Sequence, residues 1–374
     1  MALQIAIYTL RTQPQVASMI CSRAFFSSSI QESTQATLAQ EVKIMGDPAR
    51  PETMRAVQYS GYGGGAAALK YVEIPVPSLK KDEVLIKVEA ASINPADCNI
   101  QKGLLRPFVP RFPFIPVSDV AGEIVEVGAA VSEFKVGDRV VSKLIFWKAG
   151  GLAEYVAASE SVTVALPAGV STVDAAGLPV AGLTALQAVR AIGTKFDGTG
   201  SGSNILITAG SGGIGTYAVQ LAKLGNHNVT ATCGARNLEL VADMGADEVL
   251  DYKTPEGAAL KNNSGKKYDY IVNTTNAGKW SAFKPALSSH GRVVDLAPNL
   301  ANFVASMLTL FSKKKKLSTV LLSLGMEDLR FLLELVKEGK LKTVVDSRHP
   351  FDKAADAWEK SMSGHATGKV IVEM

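Results

Sequence analysis

The residues of this chain with the plainest chemical purpose are the glycines of Ala209-Gly210-Ser211-Gly212-Gly213-Ile214-Gly215. They follow the apolar run Ile205-Leu206-Ile207-Thr208 and open an amphipathic stretch from Ile214 to Leu224. Positions without a side chain let the backbone approach a pyrophosphate, and the start of a helix offers free N–H groups to the anion. The spacing Gly210-x-Gly212-Gly213-x-Gly215 departs from the plain G-x-G-x-x-G fingerprint, so the dinucleotide reading leans on the flanking strand and helix and on a second strand at Asn228 to Thr232. A turn that binds nothing is the alternative. After the second strand come Cys233-Gly234-Ala235-Arg236, where an NAD site places an acid for the ribose hydroxyls. The acid is missing. Arg236 either pairs with a 2′-phosphate, which selects NADPH, or is a solvated residue at a helix start.

Other chemistries find no residues to carry them. Cys21, Cys98 and Cys233 lie far apart, and none of the four histidines stands at metal-ligand spacing from another, so the reading holds no metal. With 39 basic against 35 acidic residues the net charge of +4 is too mild for a nucleic-acid surface. The longest apolar stretches, such as Phe303 to Phe311, fall short of the roughly 20 residues that a spanning helix needs.

The elements that must position the glycine turn follow from patterning. A length of 374 residues predicts two domains. Short β-type runs (Ala56 to Tyr59, Val84 to Ala90, Gly122 to Val127, Arg139 to Ser142) separated by Pro and Gly predict a mostly β domain up to Pro167. Then strand and helix signals alternate: the turn and its flanks, a helix from Asn237 to Met244, and strands at Glu248 to Leu250, Tyr270 to Val272, Arg292 to Leu296 and Leu317 to Leu322. That order is a six-stranded parallel doubly wound sheet, an α/β fold. The tail reads as helix (Glu327 to Glu338), strand (Thr343 to Asp346), helix (Asp352 to Lys360) and strand (Lys369 to Glu373), with its return to the first domain left open by periodicity. Met1 to Ile30 holds no acid, two arginines and the hydroxyl cluster Ser27-Ser28-Ser29, the composition of an organelle transit peptide or of an acid-poor extension; a tether follows to about residue 53.

Several stretches together resemble the quinone oxidoreductase branch of the zinc-free medium-chain dehydrogenase/reductases. They are the glycine turn with Tyr217-Ala218-Val219-Gln220-Leu221-Ala222-Lys223, Asn94-Pro95-x-Asp97, Asp119-Val120-Ala121-Gly122-Glu123 and Phe134-Lys135-x-Gly137-Asp138. Within it, Tyr62 to Ala67, Leu178 to Gln187, Cys233 to Asn237, Gly245 to Gly257 and His365 to Val372 resemble the plant chloroplast envelope homologues. The resemblance implies a GroES-like β-rich catalytic domain (54–175 and 324–374), a Rossmann domain (176–323) between its two parts, and NADPH-driven reduction of electron-poor double bonds, either enones, including lipid-derived enones and γ-ketols, or quinones. It implies that Asn94 and Thr184, with Asp97, lie at the nicotinamide, Ser211 to Ile214 at the pyrophosphate, and Cys233, Arg236 and Tyr252 at the adenosine phosphate end, with Asn276, Leu296 and Ala297 on the outer wall. Zinc-dependent relatives carry Cys and His where this chain has Asn94 and Ser118, so no Lewis acid polarises an alcohol. Residues stand open to plainer roles: Asp97 as a helix cap, Asn94 as a turn former, Thr184 as helix packing, Tyr252 as a strand-end aromatic.

One departure matters. Relatives carry Tyr or Trp and then Lys after the Asp97 position, and this chain has Cys98-Asn99, which leaves the proton to solvent or to the Cys98 thiol, itself readable as a small buried hydrophobe. Gly150-Gly151 and Leu104 to Phe114 either line an apolar substrate pocket or form a packed loop. The Lys313 to Lys316 run either draws the chain to an anionic membrane or is a solvated loop, and a homodimer stands as an allowed assembly. The predicted location is the chloroplast, at the inner envelope surface, with the mitochondrion as alternative. A nucleotide-binding accessory protein without turnover is the rival to an enzyme.

Overall fold

A computed structural model describes residues 50–104, 111–200, 202–297, 299–310, 312, 314–319 and 325–374. The leader, the tether, most of Leu104 to Phe114, Lys313 and the end of the Leu317 to Leu322 run lie outside these residues. The folded body begins at Glu52.

Its first part is β. Strands β1 (Thr53–Gln58) and β2 (Lys70–Pro75) pair antiparallel as a small ribbon. Strands β3 (Glu83–Ile93), β4 (Asp119–Val127), β5 (Arg139–Lys143), β6 (Tyr155–Ser159) and β7 (Thr163–Ala165) follow, with helix α1 (Pro95–Gln101) after β3. Helices α2 (Thr172–Ala176) and α3 (Pro179–Ala191) lead out of the sheet. Pro179 at the first helical position suits that start, since its missing N–H has no partner to lose there.

The alternating part then begins. Strand β8 (Asn204–Ile207), helix α4 (Gly213–Leu224), β9 (Asn228–Cys233), α5 (Leu238–Asp243), β10 (Glu248–Asp251), α6 (Pro255–Ala258), β11 (Tyr268–Asn273), α7 (Trp280–Ala286), β12 (Leu287–Asp295), α8 (Leu300–Thr309) and β13 (Lys316–Thr319) build a six-stranded parallel sheet in the order β10-β9-β8-β11-β12-β13. This is the Rossmann order, with its switch point between β8 and β11, where a ligand crevice opens at the carboxyl ends of the strands.

The tail answers the question that periodicity left open. After α9 (Met326–Lys337), strand β14 (Val345–Pro350), helix α10 (Ala354–Met362) and strand β15 (Lys369–Glu373) return to the first part. Strand β15 pairs antiparallel with β3 (Val372 opposite Ala91) and parallel with β14, completing the sheet β14-β15-β3-β4-β5-β7, onto which β6 also pairs through β3. The two sheets share a core, in which Ala90, Ala121 and Val141 meet Leu183 and Leu186 of α3 and Ile205, Ile207 and Ala231 of the parallel sheet.

Boundaries differ where side chains have other partners. The strand expected from Thr343 starts at Val345, because the Thr343 hydroxyl donates to the Asp174 carbonyl (2.9 Å) and accepts from the Tyr217 hydroxyl (2.8 Å). The helix expected from Asn237 starts at Leu238, with Asn237 turned to Ser211 instead. Strand β12 begins at Leu287, earlier than Arg292, because Leu287 and Val293 pack in a separate apolar cluster with Tyr268 and Phe283. In the lysine run, Lys315 donates to the Lys284 carbonyl and Lys316 opens β13. Among the described residues no helix is long and apolar enough to cross a membrane.

Candidate active site

The turn between β8 and α4 is tied down at both ends. The Ala209 N–H donates to the Thr232 hydroxyl (3.2 Å) and the Gly210 N–H to the Thr232 carbonyl (2.7 Å), which holds the turn against the end of β9. Ala209 itself takes a left-handed φ of 47°. A methyl on Gly215 would stand 2.1 Å from the Ala209 carbonyl oxygen, so only glycine fits where helix and strand cross. At Gly212 the nearest atom to such a methyl is 3.3 Å away, and that face opens to a cavity.

The cavity has a volume of about 990 Å³, the size of a ligand pocket. Of the residues expected at the cofactor, Ser211, Gly212, Cys233, Gly234, Arg236 and Tyr252 line it. Gly213, Ile214 and Gly215 stand behind as the first turn of α4. Asn276, Leu296 and Ala297 are not brought to its wall; Thr275, Ala277 and Gly278 stand there. Sequence patterning also passes over Asn237, Lys253 and Lys279, which line it. The lysine directly after Tyr252 was the available signal. The Cys233 thiol is pushed up to about 11 by burial, then by Asp251, and so is a protonated packing group there.

The tail closes one side. The Gly368 N–H donates to the Ser211 carbonyl (2.9 Å), and the Asn237 amide donates to both the Ser211 hydroxyl (3.0 Å) and the Thr367 hydroxyl (3.1 Å). Arg236 donates to the His365 carbonyl at 2.5 Å, leaving its other guanidinium nitrogens for an anion.

Beyond Lys369 lies a buried polar cluster. Asn94 caps α1, its N–H donating to the Asp97 carboxylate (2.8 Å) in a capping box, so the plainer role of Asp97 is realised in the geometry. The Asn94 amide donates to Asp119 (2.9 Å) and its carbonyl accepts from the Lys369 ammonium. Asp119 also accepts from the Val180 N–H at the start of α3 (3.1 Å), and its other oxygen is buried without a partner among the described residues. Burial pushes the Asp97 carboxyl up to about 7, with Asp119 adding to the rise, and pushes the buried Lys143 and Lys369 ammoniums down. Lys143 and Lys369 escape sequence reading because each sits in an apolar strand where alternation alone reads it as an outward face. Thr184 is not hydrogen-bonded to them: its hydroxyl donates back to the Val180 carbonyl of α3 at 2.6 Å. Cys98, pushed up to about 12 by burial, packs against the Ser361 hydroxyl at 3.8 Å.

Comparison with known proteins places this geometry. A model described as the alcohol dehydrogenase GroES-like domain matches residues 80–168, and one described as zinc-binding dehydrogenase matches residues 244–372. The chain is 58% identical over 323 residues to the chloroplast envelope quinone oxidoreductase homolog of Arabidopsis thaliana, covering 86% of this chain and 98% of that one. It belongs to the quinone oxidoreductase branch of the medium-chain dehydrogenase/reductases. A second Arabidopsis thaliana relative, the chloroplastic NADPH-dependent alkenal/one oxidoreductase, is 34% identical over 88% of this chain and 82% of its own length. The quinone oxidoreductase structure from Coxiella burnetii superposes with a TM-score of 0.75 at 28% identity, over 86% of this chain and 99% of that one. The branch makes this chain an oxidoreductase with a GroES-like domain and an NAD(P)-type Rossmann domain. Although one matching model is named for zinc, no group of three or more His, Cys, Asp or Glu among the described residues could hold a metal ion.

Proposed function

We propose that this protein is an NADPH-dependent reductase of activated carbon–carbon double bonds in α,β-unsaturated carbonyls, acting without zinc. The observation that carries the cofactor choice is the cavity wall, where Arg236 stands beyond β9, Lys253 beyond β10 and Lys279 beyond β11, with no carboxylate among the described lining residues. A 2′-phosphate gains charge-assisted hydrogen bonds there, and a site for unphosphorylated ribose would place an acid instead. The Ser211 to Gly215 turn and the start of α4 would hold the pyrophosphate, with Tyr252 flanking the adenosine end.

When bound, NADPH supplies a hydride. The chain's own part is to fix the acceptor against it and to stabilise the oxygen that becomes negative. Asn94, held by Asp119 and Lys369, stands at the inner end of this arrangement. The catalytic part is assigned to residues 54–175 and 324–374 and the cofactor part to 176–323. The chloroplast is the proposed location, in line with the Arabidopsis thaliana relative named for the chloroplast envelope. Quinones are the second acceptor class, favoured by that relative's name.

The test is NADPH oxidation by the purified chain with enones, γ-ketols, reactive aldehydes and quinones. Turnover highest with the enone group supports the reading; turnover with quinones alone moves it to the second class, and none with any acceptor despite saturable NADPH binding overturns it.

A further inference from the structure

The buried cluster contains a cation that no carboxylate contacts directly among the described residues. Lys143 ends β5 with only 1% of its surface exposed, yet it forms no ion pair among the described residues. Its ammonium donates to the Leu144 carbonyl at 2.9 Å, faces the Phe146 ring at 3.7 Å from the centroid, and reaches the Ser118 hydroxyl only at 3.4 Å. A buried ammonium without a carboxylate against it costs free energy unless an anion arrives to repay it.

The backbone beside it is strained. Val117, β-branched, takes φ 75°, in the left-handed region that such residues avoid. Its carbonyl accepts from the Gly151 N–H (2.8 Å), and the next carbonyl, that of Ser118, accepts from the Leu144 N–H (2.7 Å), so the strain is locked between two loops. Strain of this kind gathers at functional sites.

We propose that the Lys143 ammonium meets the carbonyl oxygen of the acceptor, stabilises the enolate and gives it a proton. The idea rests on the reductase reading. The acceptor's β-carbon takes the hydride, its π pair moves through the α-carbon to the carbonyl oxygen, and that oxygen takes one proton from Lys143. The resulting enol tautomerises to the saturated carbonyl, and the lysine amine regains its proton from water. Burial disfavours the charged form of Lys143, whereas Asp119 and Asp97, the carboxylates near it, favour that form; Lys369, bound to the Asn94 carbonyl, also draws on both carboxylates. A proton poised to leave is what a general acid requires.

The experiment uses the full chain with NADP⁺ and 4-nitrophenol, whose phenolate mimics an enolate oxygen and absorbs visibly. Bound phenol should ionise about one pH unit lower than free phenol in the wild type, less so in Lys143→Arg, and not at all in Lys143→Met. Turnover of enones should fall about 100-fold in Lys143→Met, the scale of a lost oxyanion donor, with NADPH affinity unchanged. A wild type that binds the phenol without shifting its ionisation, or a Lys143→Met enzyme with the wild-type rate, overturns the role of Lys143. Failure of the wild type to reduce any enone overturns the reductase reading instead, while the phenol titration still reports on the charge.

Discussion

The Asn237 amide lies 3.0 Å from the Ser211 hydroxyl, and the same nitrogen lies 3.1 Å from Thr367, so one side chain pins the glycine turn to the returning tail. Replacing Asn237 with Ala removes both bonds, each worth about 1 kcal/mol net. The expected outcome is a lower melting temperature together with weaker NADPH binding, read by thermal denaturation and by cofactor fluorescence. A variant that binds NADPH as the wild type does would show that the tail does not hold the turn.

Two glycines of the turn separate folding from binding. Gly215→Ala places a methyl 2.1 Å from the Ala209 carbonyl oxygen and should destabilise the protein by about 1–3 kcal/mol or more. Gly212→Ala meets its nearest atom only at 3.3 Å and should fold, yet bind NADPH poorly, because its methyl stands in the cavity. Denaturation midpoints and cofactor titration of both variants check the contrast.

Arg236→Ala should weaken NADPH by about 10- to 100-fold, the equivalent of one charge-assisted contact, while leaving NADH nearly unchanged. Dissociation constants for both cofactors decide it, and equal losses for the two would remove Arg236 from phosphate binding.

The Asp97 carboxyl sets a pH dependence of stability. Its folded value of about 7 lies above the ordinary 3.8, so the folded state keeps a proton that the unfolded chain releases. Stability therefore falls as pH rises from about 4 to 7, by at most about 1.4 kcal/mol per unit, and is flat in this respect above and below that window. Asp97→Asn should flatten the slope, because its amide oxygen still accepts the Asn94 N–H while nothing titrates. Melting curves of variant and wild type across that range give the difference directly.

How much of this was legible in the sequence depends on whether a residue's purpose is local. The β8-turn-α4 unit, the missing acid after β9 and the placement of Arg236 were readable, because strand period, glycine and charge act within a few neighbours. The pairing of β15 with β3 was not readable from periodicity, and only the family resemblance implied the tail's return, since Val372 and Ala91 meet across most of the folded chain. Lys143 and Lys369 look like ordinary strand lysines until the fold buries them, Lys143 beside Ser118 and Lys369 against Asn94. Asn276, Leu296 and Ala297 illustrate the reverse, residues near the right strand ends whose side of the loop only the three-dimensional path decides.

The central claim, a hydride delivered to an activated double bond, is tested most directly by isotope transfer. NADPH deuterated at the transferring position of C4 is incubated with the chain and a simple enone, and the saturated product is read by NMR. The account predicts one deuterium at the β-carbon and a solvent-derived hydrogen at the α-carbon. Unreduced enone, or reduced product with no deuterium at the β-carbon from NADPH labelled on either face, would contradict it.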